Sequence, residues 1–141
     1  MKSTRLLIIP VIVAVLILIF GVYELAQASE PFIVISTAYC NDEGNLTASG
    51  RPTVEGLTIA GKKEWIGCAA ALYEIDEDGS IGDFIGYREV EDTGYGKPSI
   101  EFPGMGTIET GETVDIFISD REACYRWGEH KIYIQIIPGK G

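Results

Sequence analysis

The chain has 141 residues with 11 Lys and Arg against 21 Asp and Glu, so its formal net charge is −10. This length favours a single domain. An apolar content of 46% with 23% charged residues excludes a disordered or collagen-like chain. The acidity argues against a nucleic-acid partner, which would need basic patches, and against electrostatic docking on anionic lipid.

The first 28 residues are predicted to be a targeting segment. Residues 6–23 carry no charged side chain, and Lys2 and Arg5 precede them. This order is typical of a secretory signal, and Ala26-Gln27-Ala28 offers a cleavage site. The apolar run also approaches the length that spans a bilayer. A cleaved signal peptide and an uncleaved membrane anchor therefore both stay open, with a buried core helix as a third alternative. Signal and anchor both export residues 29–141, which would be secreted or held at the outer face of the cytoplasmic membrane or cell wall.

Three cysteines lie in the exported part of the chain: Cys40, Cys68 and Cys124. Disulfides persist in oxidising compartments outside the cytoplasm. Three cysteines cannot all pair within one chain, and their spacing fits no zinc pattern. A Cys68–Cys124 bridge, a Cys40–Cys68 bridge and three unpaired thiols all stay open.

The exported part is predicted to consist mostly of strands. Six segments are rich in β-branched and aromatic residues or alternate between apolar and polar residues. They are Phe32–Tyr39, Leu57–Ala60, Cys68–Ile75, Phe84–Glu91, Thr113–Ser119 and Lys131–Ile137. Six short strands with Gly-rich turns favour a mainly β protein, and specifically a small β-barrel.

One helix and one long loop complete this organisation. Ser119 and Glu122 have the spacing of a capping box, and Gly128 is expected to end the helix that follows. Asp120 adds negative charge at the helix start. Residues 94–111 contain five glycines and two prolines and predict a long loop, a feature that is often functional in compact domains.

Few residue types are available for chemistry. His130 is the only histidine, and no ligand spacing fits zinc, haem or an iron–sulfur cluster, so no cofactor and no metal are predicted. Two carboxylates have an unusual context. Asp92 ends an alternating strand before the glycine-rich loop, and Asp115 lies inside an apolar strand. Partial burial raises the pKa of a carboxyl group and suits it to general acid catalysis. The alternative for Asp115 is a structural role, in which it caps a neighbouring loop through backbone N–H groups.

An ordered set of short motifs runs along the exported part. It comprises Thr37-Ala38-Tyr39-Cys40, Leu46-Thr47-Ala48-Ser49-Gly50, Gly56-Leu57-Thr58-Ile59-Ala60, Ile85-Gly86-Tyr87, Glu91-Asp92-Thr93-Gly94, Val114-Asp115-Ile116-Phe117, Ala123-Cys124-Tyr125-Arg126-Trp127-Gly128 and Ile132-Tyr133-Ile134-Gln135-Ile136-Ile137. In this order the motifs resemble the three-aspartate (3D) domain family of exported Gram-positive proteins, over roughly residues 33–137. The resemblance implies a six-stranded double-psi β-barrel with one short helix. The MltA-type lytic transglycosylases share this barrel, as do RlpA-like proteins and, more distantly, expansins.

The resemblance also implies a reaction and a site. The family's aspartates map onto Asp92 and Asp115, and the reaction is cleavage of the β-1,4 bond between N-acetylmuramic acid and N-acetylglucosamine in peptidoglycan. One carboxylic acid protonates the glycosidic oxygen and then accepts the proton of the muramyl C6 hydroxyl. Asp92 is assigned this acid/base role, and Asp115 is expected to orient it or raise its pKa. The predicted substrate-binding residues are Tyr39, Thr47, Ser49, Thr93 and Tyr95. The chain departs from the family pattern in two places: residues 62–67 lack the first family aspartate, and the link between Asp92 and Asp115 is long.

Three functions stay open from the sequence. The first is an enzyme acting on peptidoglycan glycan strands, and the second is a binding module of the same fold that holds the glycan without cutting it. The third is a domain displayed at the membrane, in which residues 95–112 contact another protein. The expected partner is the glycan strand. The membrane is contacted only through residues 6–23 if they are not cleaved, and no nucleic acid is involved.

Overall fold

In a computed structural model of the chain, residues 10–20, 28–41, 45–94, 101 and 106–139 are described. Residues 10–20 form a helix (α1) whose side chains are exposed. The rest of the predicted targeting segment up to residue 27, including most of the expected cleavage site, lies outside the described residues. Among the described residues, no helix is both long enough and apolar enough to cross a membrane.

The described part of residues 28–139 contains six strands, a second helix and one 3-10 turn. The strands are β1 (Phe32–Tyr39), β2 (Thr58–Ala60), β3 (Ala69–Ile75), β4 (Ile81–Asp92), β5 (Thr113–Phe117) and β6 (His130–Ile137), the helix is α2 (Arg121–Trp127), and the 3-10 turn is Lys63–Trp65. All six predicted strands are present. Strand β4 begins at Ile81 rather than Phe84, and β5 ends at Phe117 rather than Ser119.

The six strands close into a barrel in the order β1-β5-β2-β4-β3-β6. The pairs β1/β5 and β2/β4 are parallel, and the other pairs are antiparallel. Closure gives every strand two neighbours and leaves no unpaired edge. The predicted mainly β protein with a small six-stranded barrel is therefore confirmed.

The barrel interior holds a hydrophobic core, because alternate residues along the strands point into it. On β6, Ile132 and Ile134 are fully buried, whereas Tyr133 between them is half-buried. Successive side chains on a strand point to opposite faces, so the apolar set meets in the interior. The core consists of Val34, Ile59, Ala70, Leu72, Val90, Val114, Ile116, Ile132, Ile134 and Ile136.

Helix α2 lies where the sequence predicted it, but its N-cap differs. Asp120, not Ser119, is the N-cap, and its Oδ1 accepts a hydrogen bond from the Ala123 N–H at 2.7 Å. The predicted Ser119 capping box is therefore wrong, because the Ser119 N–H donates to the Glu55 carboxylate instead. Gly128 ends the helix as predicted, with a positive φ of 63°.

Candidate active site

The strand order brings Asp92 and Asp115 to the same part of the barrel. Asp92 is the last residue of β4, and Asp115 is the middle residue of β5. Strand β2 lies between β4 and β5, and its last residue, Ala60, is in register with both aspartates. The two carboxylates predicted from the sequence therefore belong to a single site.

Three donors converge on the Asp92 carboxylate. Its Oδ1 accepts the backbone N–H of Ala48 at 3.0 Å and that of Thr93 at 2.9 Å. Its Oδ2 accepts the Tyr39 hydroxyl at 3.4 Å. An ionised carboxylate is purely an acceptor, so these bonds hold Asp92 in one orientation as a negative group.

Among the residues that the structure describes, one side chain donates to the Asp115 carboxylate. The Thr37 hydroxyl donates to Asp115 Oδ1 at 3.0 Å across the parallel pairing of β1 and β5. Burial raises the pKa of Asp115 to about 6; the Thr37 hydrogen bond opposes this rise and the negative charge of Asp92 adds to it. Asp115 is therefore a carboxyl group that can hold a proton at mildly acidic pH.

Tyr39 connects the two aspartates electrostatically. Its ring packs on Phe117 with centroids 5.5 Å apart, and its hydroxyl reaches Asp92. Burial raises the pKa of Tyr39 well above its usual value, and the charges of Asp92 and Asp115 raise it further. The phenol therefore stays protonated and acts as a donor. The sequence assigned Tyr39 to sugar binding, and the structure shows its hydroxyl bonded to Asp92.

The segment that holds Ala48 against Asp92 contains two further predicted site residues. Thr47 is buried, its hydroxyl lies 2.9 Å from that of Ser49, and it donates to the Arg51 carbonyl at 2.9 Å. The Ser49 N–H donates to the Glu91 carbonyl at 3.0 Å, which ties the segment to β4. Thr47 and Ser49 thus fix the loop that places the Ala48 N–H on Asp92.

Two open pockets border this region. Ser49 lines a pocket of about 250 Å³ whose other walls include Arg51, Glu89 and Glu91. Thr93, next to Asp92, lines a second pocket of about 410 Å³, together with Lys63, Glu64, Gly94 and Glu109. The predicted contact residue Tyr95 lies outside the described residues, as do residues 96–100 and 102–105 of the long loop.

Two residues near the site were missed by the sequence analysis. Thr37 was quoted only as part of a motif, although its hydroxyl is the side-chain donor to Asp115. Glu91 was likewise named only as part of a motif and of a predicted strand. It is in fact buried, accepts the Thr58 hydroxyl at 2.9 Å and lies 3.4 Å from an Arg51 guanidinium nitrogen. No local pattern signals either role, because each depends on a strand far away in the sequence.

Metal binding and similarity to known proteins add no further assignment. Within the described ranges, no group of three or more His, Cys, Asp and Glu side chains is placed to hold a metal ion. No protein-family model matches the chain, and neither a curated protein nor a solved structure matches it.

Proposed function

We propose that this chain is an exported cell-wall protein that cleaves the β-1,4 bond between N-acetylmuramic acid and N-acetylglucosamine by lytic transglycosylation. The observation that carries the proposal is the pairing of a carboxyl group that can hold a proton, Asp115, with a second carboxylate, Asp92, held by three donors. Two carboxyl groups with contrasting environments are the usual sign of an acid/base site.

The finer fold assignment belongs to the same proposal. A double-psi β-barrel has six strands and includes parallel pairings. The parallel pairs β1/β5 and β2/β4 of this closed barrel support that assignment. The two aspartates lie on the strands that flank β2, so this strand order brings their two carboxyl groups together.

In the proposed reaction, protonated Asp115 is the general acid. Its proton passes to the glycosidic oxygen as the bond to the muramyl C1 breaks, and the N-acetylglucosamine side leaves as an alcohol. The Asp115 carboxylate then takes the proton of the C6 hydroxyl, whose oxygen forms the new bond to C1. The products are a 1,6-anhydro sugar and a regenerated acid, with no water consumed and no carboxylate nucleophile required, unlike in most glycosidases.

Asp92 provides a fixed negative charge in this scheme. It stabilises positive charge that develops at C1, and it helps to keep the proton on Asp115. The Tyr39 hydroxyl and the Ala48 and Thr93 N–H groups hold it in place. These proposed roles for Asp92 and Asp115 reverse the sequence-based assignment, because burial raises the pKa of Asp115.

The proposed location rests on the N-terminal segment. A basic start followed by an uncharged apolar run supports export, and the proposed substrate is the glycan strand of the wall. Contact with the membrane, if the segment is retained, is confined to residues 6–23.

The decisive experiment is digestion of purified peptidoglycan by the full chain at pH 5–6, with mass spectrometry of the soluble products. We expect anhydro-muropeptides from the wild type, and at least a 100-fold slower release from Asp115→Asn, because general acid catalysis contributes roughly 10²–10⁴-fold. Asp83→Asn is the matched control, since Asp83 is an exposed aspartate on β4. Products that have gained one water would show that the same site catalyses hydrolysis instead of transglycosylation. Release that is unchanged in Asp115→Asn would overturn the assignment.

A second candidate function is a barrel that binds the glycan without cutting it. The observation in its favour is an exposed aromatic cluster on β3 and β4, away from the aspartates. Phe84 lies between Tyr73 and Tyr87, with ring centroids 5.4 and 5.0 Å apart, and both Phe84 and Tyr87 are exposed. Aromatic rings offer apolar faces on which sugars pack.

A peptidoglycan sedimentation assay separates the two functions. If the chain is a binding module, wild type and Asp115→Asn sediment equally and release no fragments, whereas Phe84→Ala and Tyr87→Ala lose binding. If the chain is an enzyme, fragments appear and depend on Asp115. If every variant still sediments with peptidoglycan, the aromatic cluster is not the glycan-binding surface.

A further inference from the structure

Two of the three cysteines, Cys40 and Cys124, line the same pocket. Cys40 directly follows β1, and Cys124 lies in the middle of α2. Both line an open pocket of about 410 Å³, here called the thiol pocket, together with Ala38, Arg121 and Tyr125. The pocket joins residues 84 positions apart in the sequence, and it contains both thiols.

The third cysteine has a different environment. Cys68 lies immediately before β3, where its side chain packs against the hydrophobic core. Its N–H donates to the Trp65 carbonyl at 2.8 Å. Both bridges considered from the sequence involved Cys68, whereas the fold brings together the pair that was not considered.

We propose that Cys40 and Cys124 form a redox-active thiol pair, which a small-molecule or protein disulfide oxidises to an intramolecular Cys40–Cys124 disulfide. First, the Cys40 thiolate attacks one sulfur of the oxidant, which forms a mixed disulfide and releases one thiolate. The Cys124 thiolate then attacks the Cys40 sulfur and releases the second. Two protein thiols thus lose two electrons, the oxidant's disulfide is reduced to two thiols, and these take up the two protons.

The environments of the two sulfurs set this order. Cys40 is exposed, and its Sγ donates to the Ser119 carbonyl at 3.2 Å, so an oxidant can reach it directly. Cys124 is half-buried, and burial raises the pKa of its thiol; the neighbouring Cys40, Asp115 and Glu55 raise it further. Cys124 is therefore the slower nucleophile and reacts second, after the mixed disulfide has formed beside it.

The disulfide would tie the end of β1 to α2. Cys40 is the neighbour of Tyr39, whose hydroxyl contacts Asp92, so the bond would restrain the chain beside the two aspartates. It would also close a loop of 84 residues, and cross-links across long loops remove the most entropy from the unfolded chain. The expected rise in melting temperature is about 10 °C.

The test uses the full chain in a buffer of reduced and oxidised glutathione. Free thiols are blocked with an alkylating reagent, and non-reduced peptides are identified by mass spectrometry. We expect one cross-linked species that joins the Cys40 and Cys124 peptides, with Cys68 alkylated. The melting temperature of the wild type and of Cys68→Ser should rise by about 10 °C on oxidation. That of Cys40→Ser or Cys124→Ser should not change.

Three results would overturn the proposal: a bridge that involves Cys68, three free thiols in oxidising buffer, or glutathione that remains on Cys40 without being displaced. Each of these results would be observed with the wild-type chain, so misfolding of a variant cannot obscure it. The assay detects sulfur chemistry alone, so its outcome does not depend on whether the protein cleaves glycan.

Discussion

Asp92 on β4 and Asp115 on β5 are both in register with the same residue, Ala60 of β2, which lies between them. Ala60 is buried, and 22 residues separate Asp92 from Asp115 in the sequence. Burial raises the pKa of Asp115, whereas three donors hold the Asp92 carboxylate in one orientation. The proposed division of labour between acid and fixed charge rests on this arrangement.

Replacement of Asp115 by Asn should make the protein more stable at neutral pH. The pKa of Asp115 in the folded protein, about 6, lies above the value of about 3.9 expected when unfolded. The folded state therefore binds this proton more tightly, so the contribution of Asp115 to stability is greatest below pH 4 and is lost as the pH rises to 6. At pH 7 the wild type keeps a desolvated charge that Asn lacks. We expect Asp115→Asn to be about 1–3 kcal/mol more stable there.

Urea unfolding of the full chain between pH 4 and pH 7.5 checks this prediction. The difference between Asp115→Asn and wild type should grow through the window from pH 4 to pH 6 and then level off. The Asp83→Asn variant, at an exposed position on β4, serves as the control and should follow the wild type. A difference between Asp115→Asn and wild type that is independent of pH would contradict the raised pKa.

Removal of the Tyr39 hydroxyl should weaken the site and spare the fold. Tyr39→Phe keeps the ring that packs on Phe117 and deletes one donor to Asp92. At 3.4 Å this hydrogen bond is long, so we expect it to contribute about 0.5–1.5 kcal/mol and glycan cleavage to slow by roughly 2- to 12-fold. The matched control is Tyr133→Phe, which deletes a hydroxyl bonded to the Gly79 carbonyl at 2.8 Å. Equal rates for both variants would argue against a role for Tyr39 at Asp92.

The hydroxyl of Thr58 should contribute to stability because it donates a hydrogen bond to the buried carboxylate of Glu91. It donates to Glu91 at 2.9 Å and accepts the Val54 N–H at 2.9 Å. Thr58→Val keeps the shape but leaves both partners short of a bond, which costs about 1–3 kcal/mol of unfolding free energy. Thr58→Ser retains the hydroxyl and should recover most of that loss in urea unfolding. Equal losses in Thr58→Ser and Thr58→Val would contradict a dominant role for the hydroxyl.

Gly111 and Gly79 form a pair that separates backbone strain from steric clash. Both have positive φ, 82° and 84°, but a Cβ on Gly111 would lie 2.9 Å from the Trp65 ring, whereas one on Gly79 meets open space. Gly79→Ala should cost about 1–2 kcal/mol from the left-handed backbone alone. Gly111→Ala should cost about 1–3 kcal/mol more, because the packed Trp65 must move. Thermal unfolding of both variants measures the difference, and equal losses would contradict the clash.

Much of the fold could be predicted from the sequence. The alternation in segments such as Lys131–Ile137 marks one buried face, and all six predicted strands are found. The end of α2 at Gly128 was also predictable, because a residue with positive φ favours glycine. These features depend on periods of two residues and on single-residue backbone preferences, which are local properties of the chain.

The choice between neighbouring caps was not predictable in the same way. Ser119 and Asp120 are both good N-cap residues. Asp120 caps α2, and the Ser119 N–H is bonded to Glu55, a residue that lies 64 positions earlier. A distant partner decided between two nearly equal local alternatives.

The sequence by itself determined the strands, helix α2 and the presence of an aspartate at the end of one strand and inside another. Only the tertiary structure decided that these aspartates meet across Ala60, that Thr37 bonds one of them, and that Cys40 shares a pocket with Cys124. The physical reason is that strand order and register join residues from distant segments. Burial, which raises the pKa of Asp115, depends on everything packed around it.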